Sequence, residues 1–272
     1  GFDVPARYEL VIRVREGKQR LEQATDQDRS FMLECLGTVE GEGRSPYKEV
    51  LEVSREVEKL FLTPGPQPNG LQAAPDGLWS IDQRNGIVYK QSWKDGAVLF
   101  SVQTEADKAS GITLGGGAIW LASTYNCKIL KVHPRTGKTL ATYDTPGAGV
   151  VAWRRGEPGA ISTGAHGLEW VRGRVWIATP PAATVYRVDP STMKVLRSFP
   201  TPGPRPHGLA WVDGYLWCAD TSMKAIHRLN PRNGKVVETI EVAAPEVHGM
   251  TYHEGALWFC DDKTREVCRI AL

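Results

Sequence analysis

Leu196-Arg197-Ser198-Phe199-Pro200-Thr201-Pro202-Gly203-Pro204-Arg205-Pro206-His207-Gly208-Leu209 is matched nearly position for position by Glu58-Lys59-Leu60-Phe61-Leu62-Thr63-Pro64-Gly65-Pro66-Gln67-Pro68-Asn69-Gly70-Leu71. Each stretch reads as the end of one strand, a Pro/Gly passage and the start of another strand. The dipeptide at the head of that second strand recurs as His166-Gly167, His207-Gly208 and His248-Gly249, with Asn69-Gly70 and Ser110-Gly111 in the same slot upstream. Neighbouring slots are 41 residues apart, except that Ser110 and His166 are 56 apart. A fixed period of this size is the signature of a repeat architecture.

Working outward from the slot, each unit has the same order. A short strand such as Leu209–Val212 is followed by a Gly turn and a second strand carrying Trp79, Trp120, Trp176, Trp217 or Trp258. A basic-apolar third strand follows, then a turn of the Asn233-Gly234 type and a fourth strand. Four short strands in about 40 residues make a β-propeller blade. The last unit has only three strands, and residues 57–62 form an orphan outer strand that would complete it and close the ring. The reading is an all-β, five-bladed β-propeller over 57–272 with blades 68–104, 109–145, 163–201, 205–243, and 246–272 plus 57–62. Residues 1–56 form an N-terminal α/β extension packed on the ring as a cap. It carries a strand near Tyr8–Val14, a helix over 26–36, and helical spacing at Val50, Val53, Val57 and Leu60. The 15 extra residues between the second and third slots lie in 146–162 and should sit over the slot face as a wall or lid, or as a tolerated insertion.

Bulk numbers narrow the function classes. The net charge of +2, with no basic block, gives no support for nucleic-acid or membrane-surface binding, so a small-molecule substrate is expected. Five cysteines without CxxC spacing argue against a disulfide framework or a structural zinc site. No stretch is apolar enough for a transmembrane helix and no signal-peptide core is evident, so a cytoplasmic protein is the expectation, with a removed signal still compatible. Oligomeric state is left open.

The recurring Trp residues fit inter-blade core. The slots are where chemistry can gather, because innermost strands line the central channel. Asn69, Ser110, His166, His207 and His248 should converge there. Three imidazoles suit a divalent metal such as zinc or iron, or an anionic group, and a neutral His also serves as a base. Glu246, two residues before His248, shares its face in an extended strand and adds a carboxylate ligand. Asn69, Ser110, Glu169, Trp153 and Arg155 are candidate substrate contacts, the last two on the 146–162 insertion. Asp82, Asp220 and Asp261, three after their Trp residues, either fix imidazole tautomers, act as acids and bases, or tie strand ends.

At these residues the sequence resembles the virginiamycin B lyase family over about 57–272, in the His-Gly-(Leu/Met), Gly-x-(Leu/Val)-Trp and Thr-Pro-Gly-Pro-Arg-Pro-His-Gly phrases and in Glu246-Val247-His248 with Leu257-Trp258-Phe259-Cys260-Asp261. The repeat grammar is shared with gluconolactonase-type lactonases. The resemblance implies a Mg²⁺-dependent enzyme that opens a cyclic depsipeptide ester by elimination. Glu246 would be the metal ligand, His248 the general base, and His207 and Asp261 supports. Two departures stand out: those lyases have seven blades, and a Glu stands where Asp261 is here. The size and five-blade closure also resemble plant-type glutaminyl cyclases. The expectation is a metal-dependent lyase or hydrolase on an ester or lactone at the channel mouth. The competing classes are a non-catalytic propeller that binds a partner or small ligand, and a three-His redox-metal enzyme.

Overall fold

The structure, a computed structural model, describes residues 9–14, 17–20, 51–151, 155–243 and 245–272. The chain opens with β1 (Glu9–Val14), β2 (Gly17–Arg20), β3 (Leu51–Ser54) and β4 (Glu58–Leu62). Blade 1 follows as β5 (Pro68–Ala74), β6 (Gly77–Asp82), β7 (Ile87–Gln91) and β8 (Val98–Gln103). Blade 2 is β9 (Ala109–Gly115), β10 (Ala118–Ser123), β11 (Lys128–Val132) and β12 (Thr139–Asp144). Blade 3 is β13 (Gly167–Val171), β14 (Arg174–Thr179), β15 (Thr184–Val188) and β16 (Val195–Pro200). Blade 4 is β17 (Pro206–Val212), β18 (Tyr215–Asp220), β19 (Ala225–Leu229) and β20 (Val236–Glu241). Blade 5 is β21 (Met250–His253), β22 (Ala256–Cys260) and β23 (Glu266–Ala271), completed by β4.

All strands within a blade run antiparallel, and burial falls from the axis outward. In blade 2 the inner β10 is buried throughout, whereas the outer β12 alternates half-buried with exposed. That gradient explains why inner strands are near-continuous apolar runs and outer ones alternate. Five apolar clusters lie one at each blade-to-blade interface. The cluster joining blades 4 and 5 holds Trp217, Ile226, Leu257 and Phe259, and the one joining blades 5 and 1 holds Trp258, Val267, Leu71 and Leu78. The recurring Trp residues are therefore core, as their spacing predicts. Truncating a fully buried Leu257 to Ala would cost roughly 2–5 kcal/mol.

The ring closes as the orphan strand requires: β4 pairs with β23, from Glu266↔Leu62 to Arg269↔Glu58. Turn glycines lock blades together at the rim. Gly96 and Gly234 have φ of +72° and +72°, and a Cβ there would lie 2.5 Å from Phe61 and Phe199, on the outer strands of the preceding blades. Only Gly meets both demands.

The extension extends blade 4. β3 runs parallel to β20 (Glu238↔Leu51 to Glu241↔Ser54), β1 pairs with β3, and β2 with β1, giving one seven-stranded sheet. Arg55 fastens the junction through Glu238 at 2.9 Å and the carbonyl of Ala271 at 2.6 Å. The strand expected near 8–14 is present as β1. The helical spacing expected at Val53, Val57 and Leu60 is overturned: Val53 lies in β3, Leu60 in β4 and Val57 in the link between them, because both strands lie against free sheet edges whose backbone groups they satisfy, and Val50 falls outside the described residues. The helix expected over 26–36 falls outside the described residues.

Candidate functional site

The slot glycines draw the inner strands together around the axis. A Cβ on Gly167 would lie 1.9 Å from the carbonyl oxygen of His207, one on Gly208 2.6 Å from that of His248, and one on Gly249 2.6 Å from Cα of Gly70, which closes the circle. Backbone contact this close brings successive imidazoles edge to face. The His166 and His207 rings are 4.5 Å apart at 65°, and the His207 and His248 rings 5.0 Å apart at 85°.

The first two imidazoles are held by the protein at both nitrogens. His207 Nδ1 lies 2.9 Å from the carbonyl of Arg205, which can only accept, so Nδ1 carries the proton and Nε2 accepts. His166 Nδ1 therefore donates to His207 Nε2 at 3.0 Å, and His166 Nε2 accepts from the Thr163 hydroxyl at 3.2 Å. Both rings are neutral. Burial pushes His166 down to about 3, with the charges of His248 and Arg205 adding, and burial also holds His207 well below its ordinary value.

His248 differs. Its Nδ1 is buried without a hydrogen-bond partner and faces Asp262 Oδ1, equally buried and unpartnered, at 3.5 Å. Glu246 joins them: ligand atoms of Glu246, His248 and Asp262 lie within 4.8 Å of one another. Among the described residues this is the group that gathers metal-ligand atoms so closely; His166 and His207 stand outside it, engaged with each other. Glu246 also accepts from Lys263 Nζ at 2.8 Å. Burial pushes the Glu246 carboxyl up, but the Lys263 hydrogen bond and the charges of His248, Lys263 and Arg205 outweigh it and hold it below its ordinary value. Burial lowers His248, while Asp262 and Glu246 pull the other way.

Asp261 touches neither imidazole through a hydrogen bond. Its carboxylate accepts from the backbone N–H of Glu246 (2.7 Å), Lys263 (2.7 Å) and Thr264 (2.8 Å). Asp82 binds the N–H groups of Gln67, Arg84 and Asn85, and Asp220 those of Arg205 and Met223. The three acids are thus strand-end ties that pin the segment two residues before each slot. In blade 5 that tie sets the Glu246 backbone.

The remaining expected residues scatter. Asn69 is buried with an unpartnered Oδ1, and the buried Ser110 accepts from Gln83 Nε2 at 2.8 Å. Glu169 sits three residues into its inner strand, one tier below the slots. It is 8% exposed, its Oε2 has no hydrogen-bond partner, and burial pushes it up to about 8 against a bond from the Trp211 backbone. The 146–162 insertion is pinched at its base by paired bonds between Gly149 and Thr163. Thr163 touches His166, so the loop springs from the edge of the slot ring. Arg155 is exposed on that loop, and Trp153 lies outside the described residues.

Sequence reasoning missed Asp262, Lys263 and Thr163. A signal for the first exists: the residue after the strand-end position reads Gln83, Thr124, Pro180, Thr221 and Asp262, so one blade alone has an acid there.

Residues 156–272 match a family model described as a repeat of unknown function, DUF6923. No curated protein matches the chain. Among solved structures, the chain is similar to the glutaminyl cyclase of Myxococcus xanthus at 12% identity and a TM-score of 0.60, covering 80% of this chain and 97% of that one. It is also similar to selenomethionine-substituted virginiamycin B lyase from Staphylococcus aureus at 16% identity and a TM-score of 0.50, covering 80% and 99%. At these identities the likeness is one of fold, and the protein is a five-bladed β-propeller.

Proposed function

We propose that this propeller is a divalent-cation-assisted enzyme, a lyase or hydrolase that opens an ester or lactone at the channel mouth, with blade 5 as its reactive blade. The observation that carries the reading is the pair His248 Nδ1 and Asp262 Oδ1, buried and unpartnered 3.5 Å apart beside Glu246. Buried polar atoms are nearly always bonded, and here two that face each other without a hydrogen bond stand beside a third metal-ligand atom, which makes the group a candidate ligand position.

Two carboxylates beside one imidazole form a hard, oxygen-rich donor set that suits Mg²⁺ or Mn²⁺ better than zinc or copper. Glu246 and Asp262 would hold the ion, which when bound would polarise the ester carbonyl. His248 is neutral because burial disfavours its charged form, so its basic form is available at neutral pH. With the ion held by the two carboxylates, the neutral imidazole beside them is left to take a proton. In elimination that proton comes from a carbon next to a carbonyl; in hydrolysis it comes from the attacking water. The His207 ring packs against His248 and limits its rotation. Asp261 positions Glu246 through the backbone. Lyase and cyclase relatives in fold agree with an enzyme by analogy only.

Thermal unfolding of the full chain with Mg²⁺ or Mn²⁺ tests this. At about a hundredfold excess over the dissociation constant a specific site should add roughly 2.7 kcal/mol. A double Glu246→Gln, Asp262→Asn variant should lose that gain, and turnover of an ester and lactone panel should need the same ion. A wild type insensitive to both ions and inert on the panel would leave the ligand-binding propeller as the surviving reading.

A further inference from the structure

Every blade sets a basic side chain of its third strand over its Trp. Lys90, Lys131, Arg187, Arg228 and Arg269 lie 5.6, 5.7, 5.9, 5.9 and 6.0 Å from the ring centroids of Trp79, Trp120, Trp176, Trp217 and Trp258. What faces that cation differs between blades. Arg228 lies opposite Glu238 and Arg269 opposite Glu58, each as an ion pair. Lys90 pairs with Asp76, and Lys131 lies opposite Ala141. Blade 3 alone sets a second cation opposite the first: Arg187 lies across from Arg197. Like charges directly opposite one another destabilise a sheet.

A second sign reversal occurs in the same blade. The turn between the two inner strands carries Asp76, Asp213 and Glu254 in blades 1, 4 and 5 and Gly116 in blade 2, but Arg172 in blade 3. Arg172 holds φ at +48°, a left-handed position that its side chain does not favour. A fourth cation comes from the next blade, where the Arg232 carbonyl accepts from Arg197. These four arginines line one cavity of about 300 Å³ walled by Trp176 and Trp211, whose rings lie 6.1 Å apart at 27°. No acidic side chain lines it. None of the four forms an ion pair with a carboxylate among the described residues. The cavity opens beside the β13–β14 and β19–β20 turns, at the end of the blades away from the slots.

We propose that this cavity is a binding site for the phosphoryl group of a small phosphorylated ligand, separate from the histidine face. Arginine forks match phosphate oxygens two at a time, and the partly exposed Trp211, backed by the buried Trp176, offers apolar surface to the body of the ligand. A bound dianion would relieve the Arg187–Arg197 repulsion that the sister blades avoid.

The test is calorimetric titration of the full chain with inorganic pyrophosphate, AMP and uncharged adenosine, at low and at moderate salt. The variant is Arg172→Asp with Arg197→Glu, which installs the residue types that sister blades carry at those positions. The expected result is binding of pyrophosphate or AMP but not adenosine, weakened by salt and by more than tenfold in the variant, whose melting temperature equals or exceeds that of wild type. AMP binding more tightly assigns a ring-bearing ligand, and pyrophosphate binding more tightly assigns a compact polyphosphate; both support the site. Binding of neither anion by wild type, or equal binding by a folded variant, overturns it.

Discussion

Blades 4 and 5 are built on one template and differ in chemistry at two positions. Both have a slot His, a Trp on the second strand and an Asp tying the strand end to the segment before the slot. Blade 4 places Arg205 two residues before its His and Thr221 after its Asp; blade 5 places Glu246 and Asp262 there. The outcome is opposite. His207 is bonded at both ring nitrogens and serves as a fixed neighbour, whereas His248 faces two carboxylates with Nδ1 unpartnered. The repeat supplies the geometry, and two side chains decide whether an imidazole is scaffolding or chemistry.

Substitutions should separate the two histidines. His248→Ala should cut turnover of any ester or lactone substrate by about 10²–10⁴, the usual contribution of a general base. His207→Ala should cost activity far less and lower the melting temperature more, because it strands the His166 Nδ1–H and the Arg205 carbonyl. Equal activity losses would erase the distinction. Next in size, Asp220→Asn and Asp261→Asn should each cost roughly 1–3 kcal/mol in denaturant unfolding, since each weakens buried ties to backbone N–H groups. Only Asp261→Asn should also weaken Mn²⁺ binding, through displacement of Glu246.

A pH series sharpens the contrast on another tier. Glu169, in blade 3, is pushed up to about 8, whereas blades 4 and 5 carry Ala210 and Thr251 at that level. Its folded-state pKa exceeds its unfolded value, so its contribution is intact below the unfolded value and is lost as pH rises through about 8. Glu169→Gln should therefore unfold at a higher temperature than wild type at pH 9 and show no such gain at pH 4. Each kcal/mol recovered is worth roughly 2–4 °C. The smallest expected effect is from Lys263→Met, which frees Glu246 and should tighten Mn²⁺ binding by less than about fivefold.

Most of the fold was legible, because a propeller writes itself as a period. The slot dipeptide, the Trp and the turn glycines recur at fixed offsets, and the orphan strand at 57–62 announces the closure seen between β4 and β23. The spacing of Val53, Val57 and Leu60 misled because apolar spacing in a short stretch does not distinguish a helix from strands that complete another sheet's edge. The site was half legible. His248 and Glu246 share a face by simple alternation. Asp262 was passed over because the tie position of the repeat, Asp261, drew attention to itself one residue earlier. That His166 and His207 bond to each other depends on how closely Gly167 lets two strands approach, a distance that no one-dimensional pattern carries.

Anomalous diffraction from crystals of the full chain soaked in Mn²⁺ should show one strong peak among Glu246, His248 and Asp262, absent from the Asp262→Asn variant. A peak between His166 and His207 instead, or none near the slot ring, would mean that blade 5 holds no ion.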